Sequence, residues 1–564
     1  MMKQFHDEIK ALLEPVLGGE ITIEMPPKPE MGDFAVPCFL FSKTKRKAPQ
    51  MIAAEAMAAI KDKHFRLINK VETAGGYVNF FVKPSALAES VLSEVWKRGA
   101  DYGRGETKSE RVMIEYPSPN PFKSLHVGHL RNASLGLSLV NTMRFAGFPT
   151  LTSNYINDTG THVAKCLWAY INFYEGKEPD DHRGDWLGEV YVDSVVRLEL
   201  DPPLIDQVYL VHRKIEAGDP KMIAEWEKCR QWSIDDMQAV FKELGVTQEH
   251  WFFDHDFVEP GKVIVDELLK EGVAKESEGA IVVDLEPYKL GVALLLKSDG
   301  SSLYFTKDLA LAKRKFTDHN IDRSVYVVGS DQALHFKQLF KVLELWGFEQ
   351  ARKCYHLSYD LVMLPEGKMS SRKGAVVLYR ALADAVREKA YEEVQKRHPE
   401  WPEHDIMKAR EQIAMSALKF PMINHDTNKT IIFDIEKALD FYGETGPYCQ
   451  YAHARACSVL KKSDIKVSEK ADFSVIKEPE EMALLKLIAA FPVLVQSAAD
   501  QYRPMNISRF CLDLSQTFSN FYEKCPIIKA DSATKKARLL LLECSRVTLK
   551  NALGLIGIDA PDQM

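Results

Sequence analysis

The chain has 564 residues and a mass of 64.0 kDa, room for roughly three or four domains of about 150 residues each. Hydrophobic residues make up 46 % and charged residues 27 %, so a sizeable core needs no disulfide or metal, and 30 Gly with 27 Pro exclude collagen and Pro/Gly-rich disorder. Lys+Arg 73 against Asp+Glu 80 gives a formal charge of −7, which excludes a globally basic coat but not a local basic stripe that docks a polyanion.

From the amino end, Phe5, Ile9, Leu12 and Val16 recur at helical spacing until Gly18-Gly19 stops them. Gly75-Gly76 precedes the strand-like run Tyr77 to Val82, and a helix is expected from about Ser85 to Lys97. Arg111 to Tyr116 reads as a short strand broken by Pro117, and the apolar stretch His126 to Phe145 as the following helix, the opening of a parallel α/β unit. Asn172 to Pro287 is mostly charged helix and reads as an insertion between two halves of the sheet. Strands return at Val292 to Leu296 and Arg323 to Val328, with a helix at Ala333 to Trp346. Beyond Trp401 the pattern is almost wholly helical, and between Leu484 and Met564 10 Lys/Arg against 7 Asp/Glu leave +3, the remainder of the chain carrying −10.

Nine scattered cysteines with no CxxC spacing fit neither a zinc knuckle nor a disulfide framework and point to a reducing compartment. The amino-terminal segment reads as a surface helix rather than a targeting signal. No uncharged apolar run reaches 18 residues, so no membrane span is expected.

Two segments carry chemistry. In Ser118-Pro119-Asn120-Pro121-Phe122-Lys123-Ser124-Leu125-His126-Val127-Gly128-His129, two imidazoles three residues apart share a face of the first helical turn. Free N–H groups there point at any bound anion, Gly128 permits close approach, and the histidines can donate to phosphoryl oxygens as charge develops. Zinc is disfavoured, because the HExxH glutamate and a third ligand are missing. In Leu364-Pro365-Glu366-Gly367-Lys368-Met369-Ser370-Ser371-Arg372-Lys373-Gly374, glycines bracket three cations, which suits clamping of a polyphosphate; it is not a P-loop. Glu115 and Asp308 are acids at element ends. Gly329-Ser330-Asp331 closes a β-run at a crevice position, with Gln332 and His335 just beyond, and Asn157-Asp158 forms a second polar loop.

His126-Val127-Gly128-His129 and Lys368-Met369-Ser370-Ser371-Arg372 resemble the HIGH and KMSKS signatures of class I aminoacyl-tRNA synthetases. Glu115…Ser118-Pro119-Asn120, Leu130-Arg131-Asn132, Tyr304-Phe305-Thr306-Lys307-Asp308, Gly329-Ser330-Asp331-Gln332 and Gly443-Glu444-Thr445-Gly446-Pro447-Tyr448 are similar to the arginyl version, across essentially the whole chain. The resemblance implies an α/β fold: a parallel-sheet nucleotide-binding catalytic domain with a helical insertion, a small N-terminal α+β module and an all-helical C-terminal domain. The expected division is 1–100 for a tRNA-contacting module, 101–171 and 288–400 for the catalytic halves, 172–287 for the insertion and 401–564 for an anticodon-binding domain.

It further implies ligation of L-arginine to tRNA(Arg) through an arginyl-adenylate. His126, His129 and Lys368 are then catalytic. Asp308 and Tyr304 sit at the guanidinium, with Glu115, Asn120 and Gln332 around the rest of the amino acid. Gly128, Gly329, Asp331, His335, Met369, Arg372 and Lys373 fall on the ATP side, and Tyr448, Arg455, Tyr522 and Met564 on the tRNA side. A planar fork of five donors is matched by acceptors that lysine leaves unfilled, a mismatch worth about 10⁴ to 10⁵ in discrimination, so no editing domain is needed. Ser371 stands where the usual signature has its second lysine, and Arg372 or Lys373 is left to replace it. ATP with Mg²⁺, no structural metal, a monomer, no membrane and a cytoplasmic location complete the expectation. The competing readings are another HIGH-bearing enzyme, such as a nucleotidylyltransferase or a synthetase for a different amino acid, and a catalytically silent tRNA-binding protein.

Overall fold

A computed structural model describes residues 3–24, 26, 31–365 and 377–564. Lys368, Met369, Arg372 and Lys373 therefore lie outside the described residues. The chain divides into two compact units, one of Met1–Tyr102, Ala452–Pro492 and Asp513–Asn551, the other of Gly103–Tyr451, Val493–Leu512 and Ala552–Met564.

In the first unit, the helix Lys3–Leu17 buries Phe5, Ile9 and Leu12 as their spacing requires, joined by Leu13 and Leu17. β1 (Phe34–Pro37), β2 (Ile68–Ala74) and β3 (Tyr77–Val82) form an antiparallel sheet in the order β1-β3-β2. Its β2–β3 hairpin turns on Gly75 and Gly76, whose φ values of 58° and 93° only glycine adopts cheaply. The helix Pro84–Arg98 follows. Among the described residues, Pro479–Asp500 is the one helix long and apolar enough to cross a membrane. Lys486 interrupts its apolar run and pairs with Asp33 at 2.6 Å, while Leu484, Leu485, Ile488 and Phe491 are fully buried within the protein.

The second unit carries β4 (Val112–Glu115), β5 (Thr150–Ile156), β6 (His250–Phe253), β7 (Lys275–Ser277), β8 (Ala280–Asp284), β9 (Val292–Leu296), β10 (Arg323–Gly329), β11 (Cys354–Tyr359), β12 (Val362–Met363) and β13 (Ile431–Ile432). Five of these form a parallel sheet in the order β11-β10-β4-β5-β6. Strand order reverses on either side of β4, so the gap between the carboxyl ends of β4 and β10 is the crevice in which such sheets bind ligands.

Three expectations need correction. The 172–287 segment is not wholly an insertion, because it supplies β6, the sheet's edge strand; four residues, His250-Trp251-Phe252-Phe253, are too short to show a strand period between helices. The Val292–Leu296 run does not rejoin the parallel sheet but closes the antiparallel β7-β8-β9 sheet. The helices Thr161–Ala169, Arg183–Leu200 and Pro220–Glu243 pack around Trp168, Tyr170, Leu187 and Trp226, a core separate from the one under β9, the Tyr304–His319 helix and the Ala333–Leu345 helix. Residues 401–451, expected as the start of a separate helical domain, belong to the unit of the sheet.

The Val127–Phe145 helix packs on β4, β5, β10 and the Glu403–Ile423 helix. It is buried nearly all round, which explains why its sequence shows no polar face.

Candidate active site

The chain leaves β4 at Glu115 and turns into the Val127–Phe145 helix at His126, which is extended at φ −134° and caps it. The capping is reciprocal: Gly128 N–H donates to His126 Nδ1 at 3.1 Å, and His126 N–H donates to His129 Nδ1 at 3.1 Å. The two rings lie against each other, tilted by 34°, with centroids 3.8 Å apart. Because each Nδ1 accepts from a backbone N–H, each neutral ring carries its proton on Nε2. Both rings are neutral near pH 7. Burial, aided by Lys123, brings His126 down to about 4, and burial with His126 and Lys123 holds His129 well below its ordinary value. The turn thus presents two Nε2–H donors without net charge. Gly128 is required by His126 itself, since a Cβ there would lie 2.9 Å from the imidazole Cε1.

Opposite stands a group of acids. Glu115, 4 % exposed, is ion-paired to the fully buried Lys315; burial pushes its carboxyl up, and the ammonium pulls it back. Asp254, also fully buried, accepts from Tyr155 Oη at 2.7 Å, from Thr159 and from Lys307. Asp308 contacts His335 Nε2 at 2.6 Å. Asp308 raises both Glu115 and Tyr155, so the two sequence-predicted acids share one neighbourhood, with Tyr155 between them. Tyr304 is half exposed, its hydroxyl over Gly160, where a Cβ would approach it to 3.9 Å; Lys307 Nζ lies 5.8 Å from its ring. Asn120 is half-buried in the loop after β4.

On the nucleotide side, Gly329 ends β10. A Cβ there would meet Asp331 Oδ1 at 2.5 Å, so the close approach the glycine permits is made by Asp331's own carboxylate. Gln332 Nε2 donates to Asp331 Oδ2 at 3.0 Å. His335, expected on the ATP side, is spent on Asp308. A cavity of about 310 Å³ opens at the ends of β10 and β11, lined by Ser330, His356, Ser358, Asp360, Thr427 and Asn428 among others. His356 stacks on Phe336 at 4.4 Å and contacts the Val328 carbonyl at 2.9 Å, so its ring is a fixed wall.

The sequence-predicted tRNA residues are divided. Arg455 Cζ lies 5.3 Å from the Tyr522 ring within the first unit, whereas Tyr448 and Met564 belong to the second. Tyr448 N–H donates to Thr445 Oγ1 at 3.1 Å, and the Met564 carbonyl oxygen contacts His398 Nε2 at 2.9 Å.

Three family profiles match the chain: "tRNA synthetases class I (R), catalytic domain" over residues 91–435, "DALR anticodon binding domain" over 449–564 and "Arginyl tRNA synthetase N terminal domain" over 2–82. The chain belongs to the class I arginyl-tRNA synthetases. An arginine–tRNA ligase of Bdellovibrio bacteriovorus is 39 % identical over 547 residues, covering 96 % of this chain and 93 % of that protein. One of Clostridium perfringens is 36 % identical over 548 residues, covering 97 % and 96 %. The solved arginyl-tRNA synthetase of Thermus thermophilus superposes with a TM-score of 0.83 at 27 % identity, covering 100 % of both chains. The fold also matches that of the Plasmodium falciparum enzyme, with a TM-score of 0.80 at 20 % identity, over 100 % of this chain and 99 % of that one.

Within this arginyl-tRNA synthetase framework, sequence reading missed the cations that answer the acids. Lys307 and Lys315 stand three and eleven residues after Tyr304 on the Tyr304–His319 helix, with Asp308 on the same face, and that spacing was the available signal. Lys123, three residues before His126, was missed as a charge acting on both histidines. Asp254 had no signal at all, since its partners come from other parts of the chain.

Proposed function

We propose that the carboxyl edge of the parallel sheet binds ATP and arginine side by side, with His126 and His129 at the phosphates and Asp308 at the guanidinium. As a class I arginyl-tRNA synthetase, the chain is an ATP-dependent ligase that aminoacylates tRNA(Arg) with arginine. The observation that carries the residue assignment is the tautomer of the histidine pair: two half-buried, neutral rings with protons on Nε2 are donors for an anion, and they add no charge of their own.

In the first step the arginine carboxylate attacks the α-phosphorus of ATP and pyrophosphate leaves. Charge growing on the α-phosphoryl oxygens is met by the Nε2–H groups of His126 and His129, which need no proton uptake or reorganisation. Lys368, with Met369 and either Arg372 or Lys373, is assigned to the departing pyrophosphate on the resemblance of its motif. Asp308 engages the guanidinium after giving up His335, and Tyr304 covers it. Glu115, paired with Lys315, is assigned with Asn120 and Gln332 to the α-ammonium. In the second step the terminal ribose hydroxyl of the tRNA attacks the activated carbonyl and releases AMP.

The 310 Å³ cavity lined by Ser330 and Asp360 suits the adenosine, and Gly329 and Asp331, the neighbours of Ser330 in the chain, are assigned to the same nucleotide. Mg²⁺ enters with ATP as the substrate complex, and no resident metal is assigned. Nine free thiols support a reducing, cytoplasmic setting, and the working form is a monomer without a membrane anchor. Residues 1–100 are assigned to tRNA contact, 101–400 to catalysis with the insertion inside it, and the helical carboxyl region to the anticodon. The profile matches support a border for that region after 435 rather than at 401. Tyr448, Arg455, Tyr522 and Met564 are its assigned tRNA contacts.

The test is ATP–pyrophosphate exchange in the presence of tRNA(Arg) with arginine against lysine. Exchange with arginine that exceeds exchange with lysine by about 10⁴-fold is expected. Equal exchange, or none, would reject the pocket assignment.

A further inference from the structure

Arg131 lies two residues beyond His129 in the Val127–Phe145 helix, and its side chain is completely buried. A buried guanidinium needs acceptors for its five N–H donors. Among the described residues no carboxylate forms an ion pair with it. Instead five main-chain carbonyls converge on it. Nη1 donates to the oxygens of Asp360 at 2.6 Å, Leu361 at 3.1 Å and Lys429 at 3.0 Å, and Nη2 to those of Asp426 at 3.4 Å and Thr427 at 3.2 Å. The Tyr359 ring stands 5.8 Å from Cζ, and Nε is left without a partner.

These carbonyls belong to two segments far apart in sequence, the exit of β11 and the turn before β13. Their dipoles repel one another unless a cation lies between them, and only a planar fork reaches so many at once. The two segments are also laced together. Asp360 N–H donates to the Thr427 carbonyl at 2.8 Å, Thr430 Oγ1 to the Asp360 carboxylate at 2.9 Å, and Ile431 N–H to the Leu361 carbonyl at 3.0 Å. Asn132, the next residue of the same helix, donates to the Val327 carbonyl at 2.8 Å and to Tyr359 Oη at 3.0 Å. The strap that results supplies Asp360, Thr427 and Asn428 to the wall of the 310 Å³ cavity.

We propose that Arg131 is a positioning residue for ATP: its buried guanidinium fixes the Asp360–Leu361 and Asp426–Lys429 main chains against the helix that bears the two histidines, and so sets the shape of the nucleotide cavity relative to the phosphate donors. This rests on the assignment of that cavity to the nucleotide. Arg131 touches no substrate; it acts through Asp360, Thr427 and Asn428. The anchoring is two-ended, because the chain returning at 377–379 is paired to the start of the same helix, Val127 N–H donating to the Val377 carbonyl at 3.0 Å and Tyr379 N–H to the Leu125 carbonyl at 2.9 Å.

The experiment is tRNA-dependent exchange by the full chain with ATP and arginine varied separately, for the unaltered protein, Arg131→Gln and Arg131→Lys, each checked for folding by circular dichroism. Arg131→Gln is expected to lower kcat/KM for ATP by about 10²-fold, the scale of a small misplacement of reacting groups, with KM for arginine within about twofold. Arg131→Lys keeps the charge but not the fork and is expected to recover to a loss of about tenfold. ATP parameters within about twofold of the parent in a folded variant would overturn the inference, as would a KM for arginine rising in step with that for ATP. Should Arg131→Gln fail to fold, Thr430→Val, which cuts one tie of the strap from its exposed side, and Arg131→Lys decide: a raised KM for ATP alone supports the inference, and an unchanged one overturns it. Absence of exchange by the unaltered chain would instead remove the reading of the cavity as a nucleotide site.

Discussion

His126 and Glu115 leave the same strand end a short loop apart, the one half-buried and the other buried, yet the histidine is stripped of its charge while the carboxylate is supplied with a counter-charge. The difference lies in what each group costs to neutralise. An imidazole titrates near 6.5, so burial next to Lys123 suffices to hold it neutral at pH 7. A carboxylate buried alone would be driven upward, and Glu115 and Asp254 are instead matched by Lys315 and Lys307 from one helix. On the proposed assignment, the phosphate side is built from neutral donors and the amino-acid side from compensated charges. Asp308, which among the described residues is ion-paired to His335 and to no lysine or arginine, is the acid proposed to meet a guanidinium.

That contrast can be broken most forcefully at Lys315. Lys315→Met leaves Glu115 buried without a counter-charge and is expected to lower the unfolding free energy by about 3–5 kcal/mol in urea titrations. Adding Glu115→Gln should recover much of that loss; no recovery would mean that Lys315 contributes by packing alone. Asp308→Asn keeps the shape and removes the charge. Its kcat/KM for arginine should fall by about 10²- to 10³-fold, roughly 3–4 kcal/mol, with KM for ATP within about twofold, and a matching rise in both constants would contradict the separation of the two sides.

On the histidine side, His126→Asn preserves an acceptor for the Gly128 N–H but removes the Nε2–H. Exchange should drop by about 10²-fold while the melting temperature barely moves, since Asn caps helices well. The smallest effect is a slope. His126 and His162 are both held at about 4 in the folded chain, and the unfolded chain protonates them near 6.5. Their contribution to stability is therefore complete above 6.5 and is lost as pH falls toward 4. Between pH 7.5 and 5.5 each should subtract about 1 kcal/mol from the unfolding free energy, and His162→Gln should flatten the curve by that amount. His255, raised by Asp158, works with the opposite sign, stabilising below 6.5 and ceasing to do so as pH rises, so a net gain in stability on acidification would show that it prevails.

The readable parts of the site share one property. His126, Gly128 and His129 interact within one helical turn, so their spacing alone puts the rings together and even fixes which nitrogen bears the proton. The strand after Gly75-Gly76 and the helices with clear apolar stripes are legible for the same reason. The unreadable parts join residues from distant segments. β6 hides in a mostly helical stretch because four residues show no period, and β9 went to a different sheet because strand partners are not written in the strand. The position of Gly329 and His335 after β10 is legible in the sequence, but that the Asp331 carboxylate approaches the first and Asp308 contacts the second is not.

The sequence by itself determined the family, the α/β class and the pairing of the two histidines on one helical turn, since motifs and short-period patterns survive without knowledge of the fold. Only the tertiary structure decided which cation answers which acid, that the imidazoles are neutral, and that one buried arginine gathers five carbonyls from two distant loops. Those outcomes depend on desolvation and on pairings across as many as 298 residues of chain, and neither quantity exists until the chain has folded.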